Sequence, residues 1–173
     1  MLPKLTLVLG GAASGKSAFA ESLVQDAGLR QIYVATAQVY DDEMAQKVVK
    51  HRDQRGSNWT TIEEPIAVAD ALSTATEDAI VLIDCATLWL TNLILGDHDV
   101  AQQTRALLDA IDACPAPIVI VSNEVGQGIV PDNALSRQFR NAQGRLNQDI
   151  AAKAGLVVAV MAGLPLALKG QLP

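Results

Sequence analysis

The sequence predicts an α/β domain: a mainly parallel sheet with helices on both faces and a short edge strand near the C-terminal end. Three observations carry this. Short aliphatic runs alternate with helix-like segments along the whole chain, with no linker and no internal repeat between them. Aromatic residues make up only 3 % of a chain that is 50 % hydrophobic, so the core must be built from Val, Leu, Ile and Ala. Aliphatic runs without polar alternation suit parallel strands buried on both faces. At 173 residues, one hydrophobic core accounts for residues 1–173 as a single domain.

The elements follow in order. Residues 4–9 (KLTLVL) form a first buried strand, with glycines directly after it. From Ser17 to Gln25 the composition is helical, and the segment closes near Gly28. Residues 31–35 (QIYVA) read as a second strand. Asp41, Asp42 and Glu43 place acid in the first turn of a helix, where negative charge favours the macrodipole. That helix continues through Met44, Val48 and Val49 to about Arg52. Pro65 opens another helix, since proline is tolerated in a first turn. Residues 79–84 (AIVLID) are a third buried strand. Residues 87–95 are apolar with weak amphipathicity, and 100–114 make a clearer surface helix. Residues 117–122 (PIVIVS) are a fourth strand, followed by a Gly- and Pro-containing loop over 123–133. A helix over 134–154 leads into the last core strand, 156–161, and 163–169 alternates as a short edge strand.

Bulk properties exclude several functions. A net charge of −6 is wrong for a broad surface that tracks the phosphates of DNA or RNA, though it is compatible with a local pocket for one nucleotide. Cys85 and Cys114 have no metal-site spacing and no CxxC pairing, and their apolar surroundings read as burial. No run of about 18 apolar residues exists to span a membrane. The N-terminus runs from Met1 through Lys4 straight into a strand, not into a cleavable leader, so the expected compartment is the cytoplasm.

Gly10, Gly11, Ala12, Ala13, Ser14, Gly15, Lys16 and Ser17 fill the pattern G-x-x-x-x-G-K-[ST]. Each position has a physical reason. Glycines let the backbone turn tightly, so that consecutive N–H groups converge on phosphate oxygens. Lys16 neutralises the outer phosphates, the Ser17 hydroxyl ligates Mg²⁺, and the following helix adds its positive end. With Gly near 7 % of residues, such a match arises by chance in roughly one chain in a hundred of this length. Its place between a strand and a helix strengthens it, and the domain reads as a P-loop NTPase. Asp84, at the end of an apolar strand, is the matching carboxylate for Mg²⁺ or its water shell. Its position before Thr87 also suits a helix N-cap.

A phosphate loop selects no reaction by itself. More specific segments lie further on: Ala35-Thr36-Ala37-Gln38, Asp41-Asp42-Glu43-Met44, His51-Arg52-Asp53-Gln54-Arg55 and Trp59. Residues 84–93 (DCATLWLTNL) and 122–131 (SNEVGQGIVP) follow, then Arg137-Gln138-Phe139-Arg140 and Gly144-Arg145-Leu146-Asn147-Gln148. In this order and spacing they closely resemble the bifunctional adenosylcobinamide kinase and adenosylcobinamide-phosphate guanylyltransferase family. The resemblance runs from the phosphate loop to residues 163–166 and is most specific around His51 and Asn123.

The resemblance implies two reactions of cobalamin biosynthesis on one scaffold. ATP or GTP phosphorylates the aminopropanol hydroxyl of adenosylcobinamide, with Lys16 in the catalytic apparatus. GTP then gives GMP to a histidine and releases pyrophosphate, and adenosylcobinamide phosphate takes the GMP to form adenosylcobinamide-GDP. By position that histidine is His51. The resemblance also implies GTP contacts at Ala35, Thr36, Ala37, Arg52, Asp53, Gln54, Arg55, Glu63 and Asp84, and a homotrimer. A corrinoid is too large for a domain of this size to enclose, so a groove shared between subunits is expected. One departure is Ala13, where the family's loop often carries arginine.

Read without the resemblance, several of these residues have two roles open. A neutral His51 imidazole can attack an α-phosphate, with Lys50, Arg52 and Arg55 stabilising the charge that builds on phosphorus. It also reads as a solvated residue on a charged helix end. Glu63 equally reads as an exposed acid beside Glu64 and Pro65, and His98 as a surface residue in a turn. The 123–133 loop follows a strand's carboxyl end, where open α/β sheets place ligands, although a structural loop explains its glycines almost as well. Neither Asn123 nor Glu124 is given a catalytic step. Two rival functions stay open: a simple small-molecule kinase, which leaves His51 idle, and a non-catalytic GTP-dependent switch.

Overall fold

The computed structural model describes residues 2–38 and 58–173. The helix expected over 41–52 lies outside the described residues. In chain order the elements are β1 (Leu5–Gly10), α1 (Lys16–Asp26), β2 (Arg30–Ala35), β3 (Trp59–Glu63), α2 (Val68–Leu72), β4 (Ala79–Asp84), α3 (Ala86–Leu95), α4 (Val100–Ala113), β5 (Ile118–Asn123), α5 (Ala134–Lys153), β6 (Leu156–Met161) and β7 (Leu164–Lys169).

Among the described residues the strands form one sheet, ordered β3-β2-β4-β5-β1-β6-β7. All neighbours pair in parallel except β6 and β7, which are antiparallel. The expected parallel sheet and C-terminal edge strand are therefore both present. β4 and β5 are buried along all but their last residue, as their unbroken aliphatic runs require. Side chains alternate between two cores. Leu5, Leu7, Val81, Ile83, Ile118 and Ile120 face a layer containing α2, α3, α4 and α5. Val8, Tyr33, Ile80, Leu82, Val119 and Val121 face the opposite side, where α1 contributes Ala20, Leu23 and Val24. Cys85 and Cys114 are buried free thiols, in line with their apolar context.

Three local features differ from the sequence reading. Residues 59–63 form β3, a strand not expected there. The run is short and half exposed, so its own burial gives little signal. Parallel pairing with β2, from Gln31↔Trp59 to Ala35↔Glu63, and an edge-on contact of the Tyr33 and Trp59 rings at 6.0 Å hold it. The helix expected from Pro65 starts at Val68 instead. Glu64 Oε1 accepts from the amides of Ile66 (3.0 Å) and Ala67 (2.7 Å), fixing 64–67 as a turn before the helix begins. Finally, the weakly amphipathic 87–95 stretch belongs to α3, with Ala86, Thr87, Trp89, Leu90, Asn92 and Leu93 buried. It is apolar on most sides because it lies between the sheet and the outer helices.

The β6–β7 connection is a two-residue turn in which Ala162 (φ 52°) and Gly163 (φ 76°) are both left-handed. That pairing matches the twist of a tight hairpin. Leu7 is fully buried between β5 and β6. Leu7→Ala should lower unfolding stability by about 2–5 kcal/mol in urea titration, with the native fold otherwise retained.

Candidate nucleotide site

Parallel pairing brings the carboxyl ends of β1 to β6 to one edge of the sheet, where the candidate site is assembled. Gly10 to Ser17 connect β1 to α1. The turn needs glycine at two points. A Cβ on Gly10 would lie 2.8 Å from the Val160 carbonyl oxygen, and Gly15 (φ 93°) packs so that a Cβ would sit 3.0 Å from Gly163 Cα. The Gly163 N–H donates to the Ser14 carbonyl at 2.8 Å, so the β6–β7 turn braces the loop from behind. Ala13 holds a left-handed conformation (φ 54°) without being glycine. Lys16 Nζ donates to the Gly11 carbonyl at 3.0 Å, which sets the ammonium over the loop. No side chain caps the first turn of α1, leaving its amides for an anion.

Register places the other candidates beside the loop. Ala35 pairs with Glu63 on one side and with Asp84 on the other. Alternation puts all three on the α1 face, the face that Tyr33 occupies two residues earlier. Glu63 is exposed there. Tyr33 donates its hydroxyl to Asp84 Oδ2 at 3.0 Å, fixing the carboxylate. Asp84 is not a helix cap: the residue before α3 is Cys85, and no side chain caps that helix. Burial, then the charge of Asp84, push the Cys85 thiol up to about 11, with Lys16 acting in the opposite direction.

Thr36 is buried, and its hydroxyl both accepts from the Cys85 N–H and donates to the Cys85 carbonyl, each at 2.8 Å. Its carbonyl accepts from Asn92 Nδ2 at 2.7 Å. The Thr36 side chain thus ties β2 to the start of α3. Ala37 follows it, half-buried. His51, Arg52, Asp53, Gln54 and Arg55 lie outside the described residues. His98 is exposed in the turn after α3.

The loop after β5 is held by α5 and by the phosphate loop. Ser122 Oγ donates to Asn147 Oδ1 (2.6 Å), and Gln143 Nε2 donates to both Ser122 Oγ (2.9 Å) and Asn147 Oδ1 (3.0 Å). The Glu124 N–H donates to the Gly10 carbonyl at 3.1 Å, joining the two loops directly. Arg140 donates to the carbonyls of Gly126 and Gly128, and Arg137 to those of Pro131 (2.9 Å) and Asp132 (2.7 Å). Glu124 and Gln127 line a cleft of about 500 Å³ with the phosphate loop and the β6–β7 hairpin.

The donors near the loop suit a hard divalent cation: the Ser17 hydroxyl and the Asp84 carboxylate are both oxygen ligands. No group of three His, Cys, Asp or Glu side chains gathers among the described residues. An ion held here would draw most of its coordination from water and substrate phosphates, as Mg²⁺ does. No helix among the described residues is long and apolar enough to cross a membrane.

Sequence reasoning did not single out Tyr33 or the contact of Gly163 with the phosphate loop, and it gave Asn123 no catalytic step. Tyr33 reads as a core residue until the register sets it two residues before Ala35, with Asp84 in reach. Gly163 touches the phosphate loop only through the β6–β7 pairing, a contact no local pattern encodes.

Both thiols are buried, and Cys85 is held neutral well above the usual thiol range. Because the folded state keeps this proton longer than the unfolded chain, the Cys85 contribution is intact below about pH 9. It is lost as pH rises toward 11. Neither thiol should react with a disulfide reagent at pH 8 in the native protein, and both should react in denaturant. Fast native labelling of Cys85 would contradict this burial.

A family model described as cobinamide kinase / cobinamide phosphate guanyltransferase matches residues 6–168. The bifunctional adenosylcobalamin biosynthesis protein CobP of Pseudomonas aeruginosa is 45 % identical over 168 residues, covering 95 % of this chain and 97 % of that protein. The bifunctional adenosylcobalamin biosynthesis protein CobU is 40 % identical in Salmonella typhimurium and 38 % identical in Escherichia coli. Each match covers 95 % of this chain and 99 % of that protein. Among solved structures, the RadB recombinase superposes with a TM-score of 0.51 at 17 % identity, over 91 % of this chain and 74 % of that one. That likeness is one of fold. The extent of the family match, together with the relatives' identity along their full lengths, shows that the chain belongs to the cobinamide kinase / cobinamide phosphate guanyltransferase family.

Proposed function

We propose that this protein phosphorylates adenosylcobinamide with a nucleoside triphosphate. It then converts the product to adenosylcobinamide-GDP through a GMP bound covalently to His51. The observation that carries this reading is the gathering of the phosphate loop, Glu63 and Asp84 at one sheet edge in a chain of this family.

In the first reaction, the Gly10–Ser17 loop and the α1 amides bind the triphosphate, and Lys16 offsets charge on the outer phosphates. Ser17 and Asp84 would hold Mg²⁺, which neutralises phosphate charge when bound. In the second, a ring nitrogen of neutral His51 attacks the α-phosphorus of GTP. A P–N bond forms, the P–O bond to pyrophosphate breaks, and the remaining ring N–H proton passes to solvent. A phosphate oxygen of adenosylcobinamide phosphate then attacks the same phosphorus, forming the P–O–P link and breaking the P–N bond, and the departing imidazole takes back a proton from solvent. Arg52, Asp53, Gln54, Arg55, Ala35, Thr36, Ala37 and Glu63 form the proposed guanine-nucleotide contacts. The protein works in the cytoplasm.

A homotrimer is proposed as the working form. Met161, Leu164, Leu166 and Leu168 leave exposed apolar surface on and beside β7, more than an isolated edge strand normally carries. Covering it with a second copy would extend the substrate cleft across subunits. Light scattering at working concentration should give three times the 18.3 kDa chain mass. A monomer would sink this part.

Incubation with Mg²⁺ and α-labelled GTP, then denaturation, should leave acid-labile label on the wild type and none on His51→Ala. No covalent label in a wild type that still binds GTP would leave a plain kinase or a switch. Lys16→Ala should lower the kinase kcat by roughly 100-fold or more. Ala13→Arg should tighten triphosphate binding by about 2- to 5-fold at low salt, the scale of one exposed ion pair. That gain should shrink as ionic strength rises.

A further inference from the structure

We propose that Asn123 is a further catalytic residue of the kinase reaction, its Oδ1 accepting a hydrogen bond from the attacking hydroxyl and orienting it at the terminal phosphorus. This rests on the kinase reading above.

The placement comes from strand order. β5 lies between β1, which leads into the phosphate loop, and β4, which ends at Asp84. In register Asp84 pairs with Val121, and Gly10, the first residue of the loop, pairs with Asn123. Asn123 therefore stands between the phosphate cradle and the carboxylate, two residues further out than Asp84. Along β5, Val119 and Val121 face α1 while Ile118 and Ile120 face the opposite helices. Alternation puts Asn123 on the α1 face, which also carries Asp84 and the start of α1 with Lys16 and Ser17.

The backbone of Asn123 is fully engaged. Its N–H donates to Thr87 Oγ1 at 2.8 Å, and its carbonyl accepts from Asn147 Nδ2 at 3.1 Å. The side chain is not. Asn123 Oδ1 is buried and has no hydrogen-bond partner among the described residues. A buried orphan acceptor costs about 1–3 kcal/mol, so its retention calls for an occupant with an O–H or N–H. Side-chain atoms of Thr6 and Trp59 are also orphaned, but at the amino ends of their strands; Gln143 Oε1 lies on α5, against the opposite face of the sheet, and Ser14 Oγ lies within the loop itself. Only Asn123 lies in the strand between the two phosphate-handling groups.

The chemistry balances with the carboxamide as an orienting group. The acceptor oxygen bonds to the terminal phosphorus as the bond to the bridging oxygen breaks, and the diphosphate leaves. The hydroxyl proton moves to an oxygen of the transferred phosphoryl group and then to water. Asn123 takes no proton; it fixes the nucleophile's direction, where catalysis of phosphoryl transfer largely lies.

The test compares wild type, Asn123→Ala and Asn123→Asp for kinase kcat and KM, nucleotide Kd and melting temperature. In Asn123→Ala the kinase kcat should fall about 100-fold, the scale of one lost transition-state hydrogen bond. Nucleotide Kd should move by less than roughly 3-fold, and the melting temperature should not fall, because the lost group has no protein partner. Asn123→Asp keeps the oxygen acceptor and should recover at least about 10-fold of that kcat at saturating nucleotide. An unchanged kcat in Asn123→Ala, a Kd that weakens in step with kcat/KM, or an Asp variant no better than Ala would each overturn the assignment. Release of the terminal phosphate to water without acceptor gives the same comparison with water as nucleophile. A wild type inert toward the corrinoid would thus defeat the proposed function, while the hydrolysis ratio still decides the role of Asn123.

Discussion

The parallel ladder joining β2, β4, β5 and β1 fixes the positions of Ala35, Asp84, Asn123 and Gly10 at the candidate site. Because the strands run the same way, their carboxyl ends share one edge, and a register error of one residue would turn a side chain to the opposite face. Ala35 meets Glu63 and Asp84 in one line, and Gly10 meets Asn123 in the next. The phosphate loop is then a consequence of where β1 ends. Its close backbone approaches at Gly10 and Gly15 are possible only because β6 and the Ala162–Gly163 turn lie directly behind it.

Polar groups buried near this edge act as struts. Thr36 ties β2 to α3 with both hydroxyl functions, and Asn92 reaches from α3 to the carbonyls of Thr36 and Pro65. Ser122, Gln143 and Asn147 tie β5 to α5 in the same way. A buried polar group that lost its partner would cost more than the bond contributes, so each network specifies one arrangement of helix against strand. The aliphatic core supplies the driving force without that specificity.

These struts also explain how a loop rich in glycine keeps a defined course. Arg137 and Arg140, one turn apart on α5, hold carbonyls along 126–132, and Glu124 is bonded back to Gly10. Exposed apolar residues lie both within this loop, where Ile129 and Val130 stand between the anchored carbonyls of Gly128 and Pro131, and on the β6–β7 hairpin. Hydrogen-bonded backbone thus surrounds the phosphate cradle, while apolar surface is left uncovered on the loop and at the sheet margin.

The sequence by itself determined the features that depend on neighbours along the chain. The aliphatic runs that became β1, β2, β4, β5 and β6, the Gly10–Ser17 loop, the burial of both cysteines and the C-terminal edge strand were all legible, because each is encoded within a few residues. The family was legible too, since its segments keep their order and spacing. Tertiary structure alone decided the rest. β3 exists because β2 offers it a parallel edge, not because WTTIE announces a strand. The start of α2 at Val68 depends on the Glu64 carboxylate satisfying two amides. Asp84 becomes a fixed carboxylate instead of a cap through Tyr33, which lies 51 positions away in the chain. Asn123 gains its place beside the phosphate loop only when β5 inserts between β1 and β4. Pairing between distant strands leaves no periodic trace in either one, which is the physical reason these contacts could not be read from the chain.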